Sequence, residues 1–191
     1  YDTGTGRLDV LQLGEGIAAG DVTARRAGNS LMLSFKDSTD QITVSNYFLN
    51  EPGYGYHLDE IRFHDGTVWN LELVKEKVIA GTESDDALIG YLGNDHINGL
   101  AGNDSIATGA GNDVLTGGLG NDTLDGGTGS DIYVFNKGDG PDTINNYDTS
   151  AGRLNALQLG EGIAAGDVTA RRVSNNLVLS FKDSTDLVTV T

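Results

Sequence analysis

The stretch "GGLGNDTLDGGTGSDIYV" (residues 117–134) sets Gly-Gly-x-Gly-x-Asp twice, nine residues apart. Each Asp is followed by one residue of any kind and then by a large apolar one. Eighteen residues are too few for a domain but enough for one complete winding of a chain that coils. Outward from this stretch the period runs without a gap through GTESDDALI (81–89), GYLGNDHIN (90–98), GLAGNDSIA (99–107), TGAGNDVLT (108–116), GGLGNDTLD (117–125) and GGTGSDIYV (126–134). Position six is always Asp: Asp86, Asp95, Asp104, Asp113, Asp122 and Asp131. Position eight is always large and apolar: Leu88, Ile97, Ile106, Leu115, Leu124 and Tyr133. A shifted seventh copy, KGDGPDTIN, follows an insertion at Phe135 and Asn136 and puts Asp142 and Ile144 in those slots.

One apolar side chain per unit buries nothing alone, but stacked units add their side chains to a continuous core. The unit predicts a very short strand around position eight and a six-residue turn before it, where glycines allow positive φ and bring bare carbonyls close together. Two units then make one winding, with turns on alternating sides. Asp86, Asp104, Asp122 and Asp142 line one side, and Asp95, Asp113 and Asp131 the other. Rungs about 4.8 Å apart, the ordinary strand spacing, bring carboxylates into repulsion worth roughly 1 kcal/mol in water and about 3 at an intermediate dielectric. Several such pairs would consume much of a stability of ~5–15 kcal/mol. The ladders therefore call for a cation between rungs. An all-oxygen donor set of carboxylates and backbone carbonyls selects a hard ion, and its flexible geometry favours Ca²⁺ over Mg²⁺. The carbonyls expected to contribute are those of Gly93, Gly102, Gly109, Gly111, Gly118, Gly120, Gly127 and Gly129. Seven turns split four and three, leaving three gaps and two, so four or five ions are expected. The Asp86–Asp104 gap is the weakest, because GTESDD lacks the glycine at position four.

This pattern resembles the nonapeptide G-G-x-G-x-D-x-U-x of the RTX, or haemolysin-type calcium-binding, repeats. It does so closely over 81–134 and loosely over 135–146. The resemblance implies an all-β, right-handed parallel β-roll, with Ca²⁺ held between turns n and n+2. It also implies type I secretion and an extracellular or cell-surface location, in a secreted toxin, hydrolase or large adhesin. The segment from Leu11 to Phe48 resembles the β-rich stretches that accompany such repeats.

Composition agrees with a cation binder. The chain has 191 residues and a formal charge of −16, with 28 glycines, 2 prolines and no cysteine. No Lys or Arg occurs between Lys77 and Lys137. A one-sign block of that length is disordered or neutralised by something bound. The balance excludes nucleic acid as a partner, and no apolar run approaches a membrane span.

A second repeat has a period of 146: residues 147–191 match 1–45 at about three-quarters of positions. The expected layout is a β-rich flank at 1–80, the calcium-binding roll at 81–146, and a partial second flank at 147–191. The chain reads as a piece of a tandem array, so neighbouring copies are expected partners. In the flank, 8–13, 22–26, 31–35 and 42–48 read as strands, and "IRFHDGTVW" as a hairpin turning at Asp65-Gly66. "WNLELVKEKV" reads as one short helix near 67–78, capped by Thr67 and covering the open end of the roll.

Other candidates read blandly. "GEGIAA" at 14–19 and 160–165 lacks the following helix that a dinucleotide site needs, and reads as a turn. His57, His64 and His96 are too scattered for zinc, with His96 expected in solvent. Asp125 and Asp139 lie off the ladders and read as solvated turn residues. No nucleophile–base set is present, so no catalytic residues are assigned and the module is not read as an enzyme. The loop "YFLNEPGYGYH" (47–57) holds Tyr47, Phe48, Tyr54 and Tyr56. Packing against the flank sheet is preferred there; the alternative is a stacking surface for a glycan or cell-surface target.

Overall fold

The computed structural model describes residues 8–49, 58–149 and 151–191. They form two compact units, Tyr1–Ile79 and Ala80–Thr191.

The second unit contains the roll. Its strands are three residues long in the first five copies: β7 Ala87–Ile89, β8 His96–Asn98, β9 Ser105–Ala107, β10 Val114–Thr116 and β11 Thr123–Asp125. The sixth and seventh copies lengthen to β12 Ile132–Phe135 and β13 Pro141–Asn145. All pair in parallel, alternate strands going to opposite sheets. One sheet stacks β7, β9, β11 and β13, the other β8, β10 and β12. This is a parallel β-solenoid of about four turns. The register puts position-eight residues beside their counterparts eighteen residues on, as Leu88 beside Ile106 and Ile97 beside Leu115, and Leu124 beside Ile144 twenty residues on across the insertion. All seven of these side chains, Leu88 through Ile144, are at most 3 % exposed. Tyr133 joins them because its hydroxyl is used: it accepts the Gly126 N–H at 3.1 Å. The strands can be this short because neither β-propensity nor length holds them. What holds them is the column of apolar side chains and the ladder of backbone bonds along the axis.

The second flank copy continues the same two sheets. Strand β14 (Ala156–Leu159) lies in parallel on β12. Strands β15 (Val168–Val173), β16 (Asn176–Phe181) and β17 (Leu187–Val190) form an antiparallel meander whose β17 lies in parallel on β13.

The first unit is built from the same flank sequence. Strands β2 (Val22–Ala27), β3 (Ser30–Phe35) and β4 (Gln41–Val44) form a meander. Strand β1 (Val10–Gln12) pairs with β5 (Glu60–Arg62), which pairs with β6 (Val68–Asn70) across the expected hairpin. The predicted strand at 42–48 stops at Val44, because Asn46 takes φ +60° and turns the chain. The predicted helix starts later, as α1 Leu71–Val78. Its cap is Asn70, whose side chain accepts the Leu73 N–H, and not Thr67. Residues 68–70 were already taken by the hairpin, which buries Trp69 against Phe63 at 4.8 Å. Helix α1 buries Val74 and Val78 and packs on β2 and β6 of its own unit. Tyr47 and Phe48 pack edge to face in this core, with rings 4.9 Å apart and both buried, which removes them from any stacking surface. Tyr54 and Tyr56 lie outside the described residues. "GEGIAA" is a turn followed by a three-residue 3₁₀ segment, Ala19–Asp21.

Candidate metal centre

The position-six aspartates form the two ladders that the spacing implies, and their geometry is more specific than a stack of charges. In each rung the Asp backbone N–H donates to Oδ1 of the Asp one winding later. The bonds are Asp86 to Asp104 and Asp95 to Asp113 (both 2.8 Å), Asp104 to Asp122 (2.8 Å), Asp113 to Asp131 (3.1 Å) and Asp122 to Asp142 (3.0 Å). The second ladder ends on an amide: Asp131 N–H donates to Asn155 Oδ1 at 2.9 Å. One oxygen of each carboxylate from Asp104 to Asp142 on the two ladders is therefore fixed by backbone.

The other oxygen divides the copies into two kinds. In the first two, Asp86 Oδ2 accepts from the Thr82 N–H and hydroxyl, and Asp95 Oδ2 from the Tyr91 N–H. In the next four, Oδ2 of Asp104, Asp113, Asp122 and Asp131 is buried with no hydrogen-bond partner among the described residues. The switch lies at position two. Leu100, Gly109, Gly118 and Gly127 have φ between +71° and +101° there, while Thr82 and Tyr91 keep ordinary backbone and aim their N–H at the acid. Four orphaned buried carboxylate oxygens would be costly in any protein, at several kcal/mol each unless paired.

Backbone oxygens surround them. A Cβ on Gly99 would strike the Asp104 carboxylate and the Gly117 carbonyl; one on Gly117 would strike Asp122, and one on Gly126 would strike Asp131. Among the described residues the position-four carbonyls of Gly93, Gly102, Gly111 and Gly120 accept no hydrogen bond, and each sits where the Cβ of Gly111, Gly120, Gly129 or Gly140 would be. By contrast the position-two carbonyls of Leu100 and Gly109 already accept Leu119 and Thr128 N–H at 2.8 Å. Among the described residues no three His, Cys, Asp or Glu side chains cluster as a metal site. The donors are thus mainly carbonyls with few carboxylates, all oxygen, crowded and unbonded. That set fits Ca²⁺ and does not fit a transition metal.

Burial raises the carboxyl groups that sit deepest. It pushes Asp122 up to about 6 and Asp142 up to about 7, from 3.8, with neighbouring ladder charges adding to the effect. Asp104 and Asp131 move the same way for the same reason. Raised values mean that the folded, metal-free roll binds more protons than the unfolded chain between about pH 4 and 7. Its stability therefore falls as pH rises through that window. Chelator-treated chain is expected to show more β signal by circular dichroism at pH 5 than at pH 8; equal signals, or the reverse order, would contradict this linkage.

Two features escaped the sequence reading. Position five carries its own ladder: Asn103 N–H donates to Asp85 Oδ1, Asn112 to Asn94, Asn121 to Asn103 and Ser130 to Asn112, at 2.7 to 3.1 Å. Its signal was visible, since Asn94, Asn103, Asn112 and Asn121 recur at the same spacing. Asp139 is also not solvated. It is buried, and its Oδ2 accepts the Asn136 N–H at 2.7 Å. The insertion before the seventh copy folds over it, which position in the repeat could not reveal. Asp125 is half-buried and caps the next turn by accepting the Gly127 N–H. His96 is exposed as expected.

Comparison with known proteins agrees with this geometry. Residues 78–106 and 98–133 match the RTX calcium-binding nonapeptide repeat, and residues 31–72 match the haemolysin-type calcium binding protein related domain. The iron-regulated protein FrpA of Neisseria meningitidis serogroup C is 41% identical over 91 residues, which is 48% of this chain and 8% of that protein. The chain thus spans a small part of that relative's length. Among solved structures, the AlgE6R3 subunit of the Azotobacter vinelandii mannuronan C5-epimerase aligns with a TM-score of 0.44 at 28% identity, over 58% of this chain and 72% of that one. The extracellular lipase LipA of Serratia marcescens aligns with a TM-score of 0.43 at 18% identity, over 95% of this chain and 31% of that one.

Proposed function

We propose, from the premise that residues 78–133 are RTX calcium-binding nonapeptide repeats, that this chain is a structural module of a large secreted protein that folds when its turns fill with Ca²⁺. The observation that carries the reading is the set of four buried, unpartnered Oδ2 atoms in glycine turns whose position-four carbonyls accept no hydrogen bond among the described residues. Asp104, Asp113, Asp122 and Asp131 supply the carboxylate oxygens, and Gly93, Gly102, Gly111 and Gly120 the carbonyls. Four or five ions are expected, the weakest in the Asp86–Asp104 gap, where Thr82 already satisfies Asp86. Extracellular modules of this kind bind with Kd of about 10⁻⁴–10⁻³ M. The sites would be empty at cytosolic Ca²⁺ and filled outside the cell. The −16 charge then keeps the chain open during export through a type I pathway and lets it condense on arrival. The module itself is structural and carries no catalysis; its service to the parent protein is adhesive or spacing.

Asp→Asn variants separate ion binding from the ladder bonds, because Asn155 shows that an amide oxygen serves the Oδ1 role. Asp122→Asn is expected to weaken Ca²⁺ binding at least about tenfold, or about 1.4 kcal/mol. Asp86→Asn should change it less than about twofold, its loss being a local bond near Thr82. Isothermal calorimetry gives both affinity and stoichiometry. Equal losses for the two variants would refute the assignment of ligands.

A further inference from the structure

The 146-residue repeat places one sequence in two settings, and the two settings are complementary. In the second unit the flank copy is seated on the end of the roll. Strand β14 lies on β12 from Ile132↔Ala156 to Phe135↔Leu159, and β17 lies on β13 from Pro141↔Leu187 to Ile144↔Val190. Phe181 stacks on Phe135 with centroids 4.9 Å apart, and the Gly138 N–H donates to Asp186 Oδ2 at 2.8 Å. Phe181, Asp186 and Val188 are buried there.

The counterparts in the first unit are Phe35, Asp40 and Ile42. Phe35 and Ile42 are half-buried and Asp40 is exposed. Strands β1 and β4, the counterparts of β14 and β17, stand at the ends of their sheets. The opposite holds on the rest of the same meander. Ala24, Leu31 and Leu33 are buried in the first unit, where α1 packs on β2. Their counterparts Ala170 and Leu177 are exposed and Leu179 is half-buried. Positions that one copy buries are those that the other leaves open. The flank therefore has room for two coverings, a roll on its edge strands β1 and β4 and its own helix on β2.

We propose that β1 and β4 receive the C-terminal end of another roll of this sequence, that of the preceding 146-residue unit in the same polypeptide. Its β12 would pair with β1 and its β13 with β4, in the register that β14 and β17 display. That register puts the preceding Phe135 on Phe35, the preceding Gly138 N–H on Asp40, and the preceding Ile144 beside Val44. Each flank would then be a coupler, with sheets running unbroken from one roll into the next unit. The inference rests on the tandem-array reading of the 146-residue repeat and not on which ion fills the turns.

The test is a chain of two full units: residues 1–146 followed directly by residues 1–191, held in Ca²⁺. Its central flank has both the preceding roll and its own following helix available. Amide hydrogen exchange by mass spectrometry compares three places: the edge strand at Gln41–Val44 in the first flank, its counterpart in the central flank, and Leu31–Leu33 in each. The central edge strand is expected to exchange at least about a hundredfold more slowly than the first, while the central Leu31–Leu33 segment is as protected as the first. A central edge as fast as the first would overturn the proposal, and so would a central Leu31–Leu33 segment that opens when the edge is protected, since the two coverings would then compete. Protection of the first edge that grows with protein concentration would place the contact between molecules and overturn the same-polypeptide assignment. Circular dichroism in Ca²⁺ on the same sample reports the folding of the rolls separately, so a failure of calcium-driven folding is told apart from a failure of docking.

Discussion

EDTA treatment at neutral pH is expected to abolish the β signal of residues 81–146, and millimolar Ca²⁺ to restore it. The reason lies in what the metal-free fold would have to tolerate. Four carboxylate oxygens are buried without partners among the described residues, two in each file and on successive windings of it. The Gly117 carbonyl lies beside Asp104 Oδ2, and the position-four carbonyls have no donor among the described residues. Against this stand one apolar side chain per nonapeptide and the axial ladders, which together support a stability of no more than ~5–15 kcal/mol. Each filled site adds roughly 1 kcal/mol at millimolar Ca²⁺ for Kd in the extracellular range. Filling also removes the repulsion between rungs, so several kcal/mol swing with the ion. The transition should be cooperative, because a winding is completed only by its neighbours. Mg²⁺, which prefers a rigid octahedron and keeps its waters, should replace Ca²⁺ poorly. A far-ultraviolet spectrum unchanged by chelator would end this account of the fold.

Gly120→Ala should be among the most damaging single added methyl groups in the described residues. Gly120 has φ +145°, which an L side chain rarely adopts, and a Cβ there lands on the Gly102 carbonyl, one of the oxygens assigned to an ion. The backbone strain costs about 1–3 kcal/mol, and displacing the carbonyl weakens the adjoining site as well. A total of about 3–5 kcal/mol is expected, in the range reserved for such combined faults. The control is Gly14→Ala, which is exposed, has nothing within 4 Å of the added atom and has no positive φ; it should stay within about 0.5 kcal/mol. The urea midpoint in Ca²⁺ measures both. Indistinguishable midpoints would mean that the turns yield more than their packing suggests.

Much of the roll could be read from period alone, because a solenoid repeats in space what it repeats in sequence. Leu88 to Ile144 in the core and Asp86 to Asp142 in two files follow from nine-residue spacing. What spacing hid was direction. That Thr82 and Tyr91 close off the first two acids depends on the sign of φ at position two, where Leu100, despite its side chain, adopts the value of the glycines. Asn70 rather than Thr67 caps α1 because a hairpin claimed the residues between, and a helical periodicity cannot see a competing strand. The flank's second life as part of the roll's sheets was invisible for a similar reason. The same residues, 41–44 and 187–190, have different neighbours in the two copies, and only the pairing β13–β17 reveals it.

The two files of turns also give the solenoid a parity. Strands alternate between sheets, and within the ladders each Asp backbone donor meets the next carboxylate eighteen residues on, or twenty across the insertion, until Asp131 meets the amide of Asn155. Adding or deleting a pair of nonapeptides leaves every donor facing an acceptor and returns β14 and β17 to the same sheets. Adding a single nonapeptide would exchange the two files, so that the strand meeting β17 would be the one shaped to meet β14. The length of such a module can therefore change in steps of two repeats and not of one, however alike the individual repeats are.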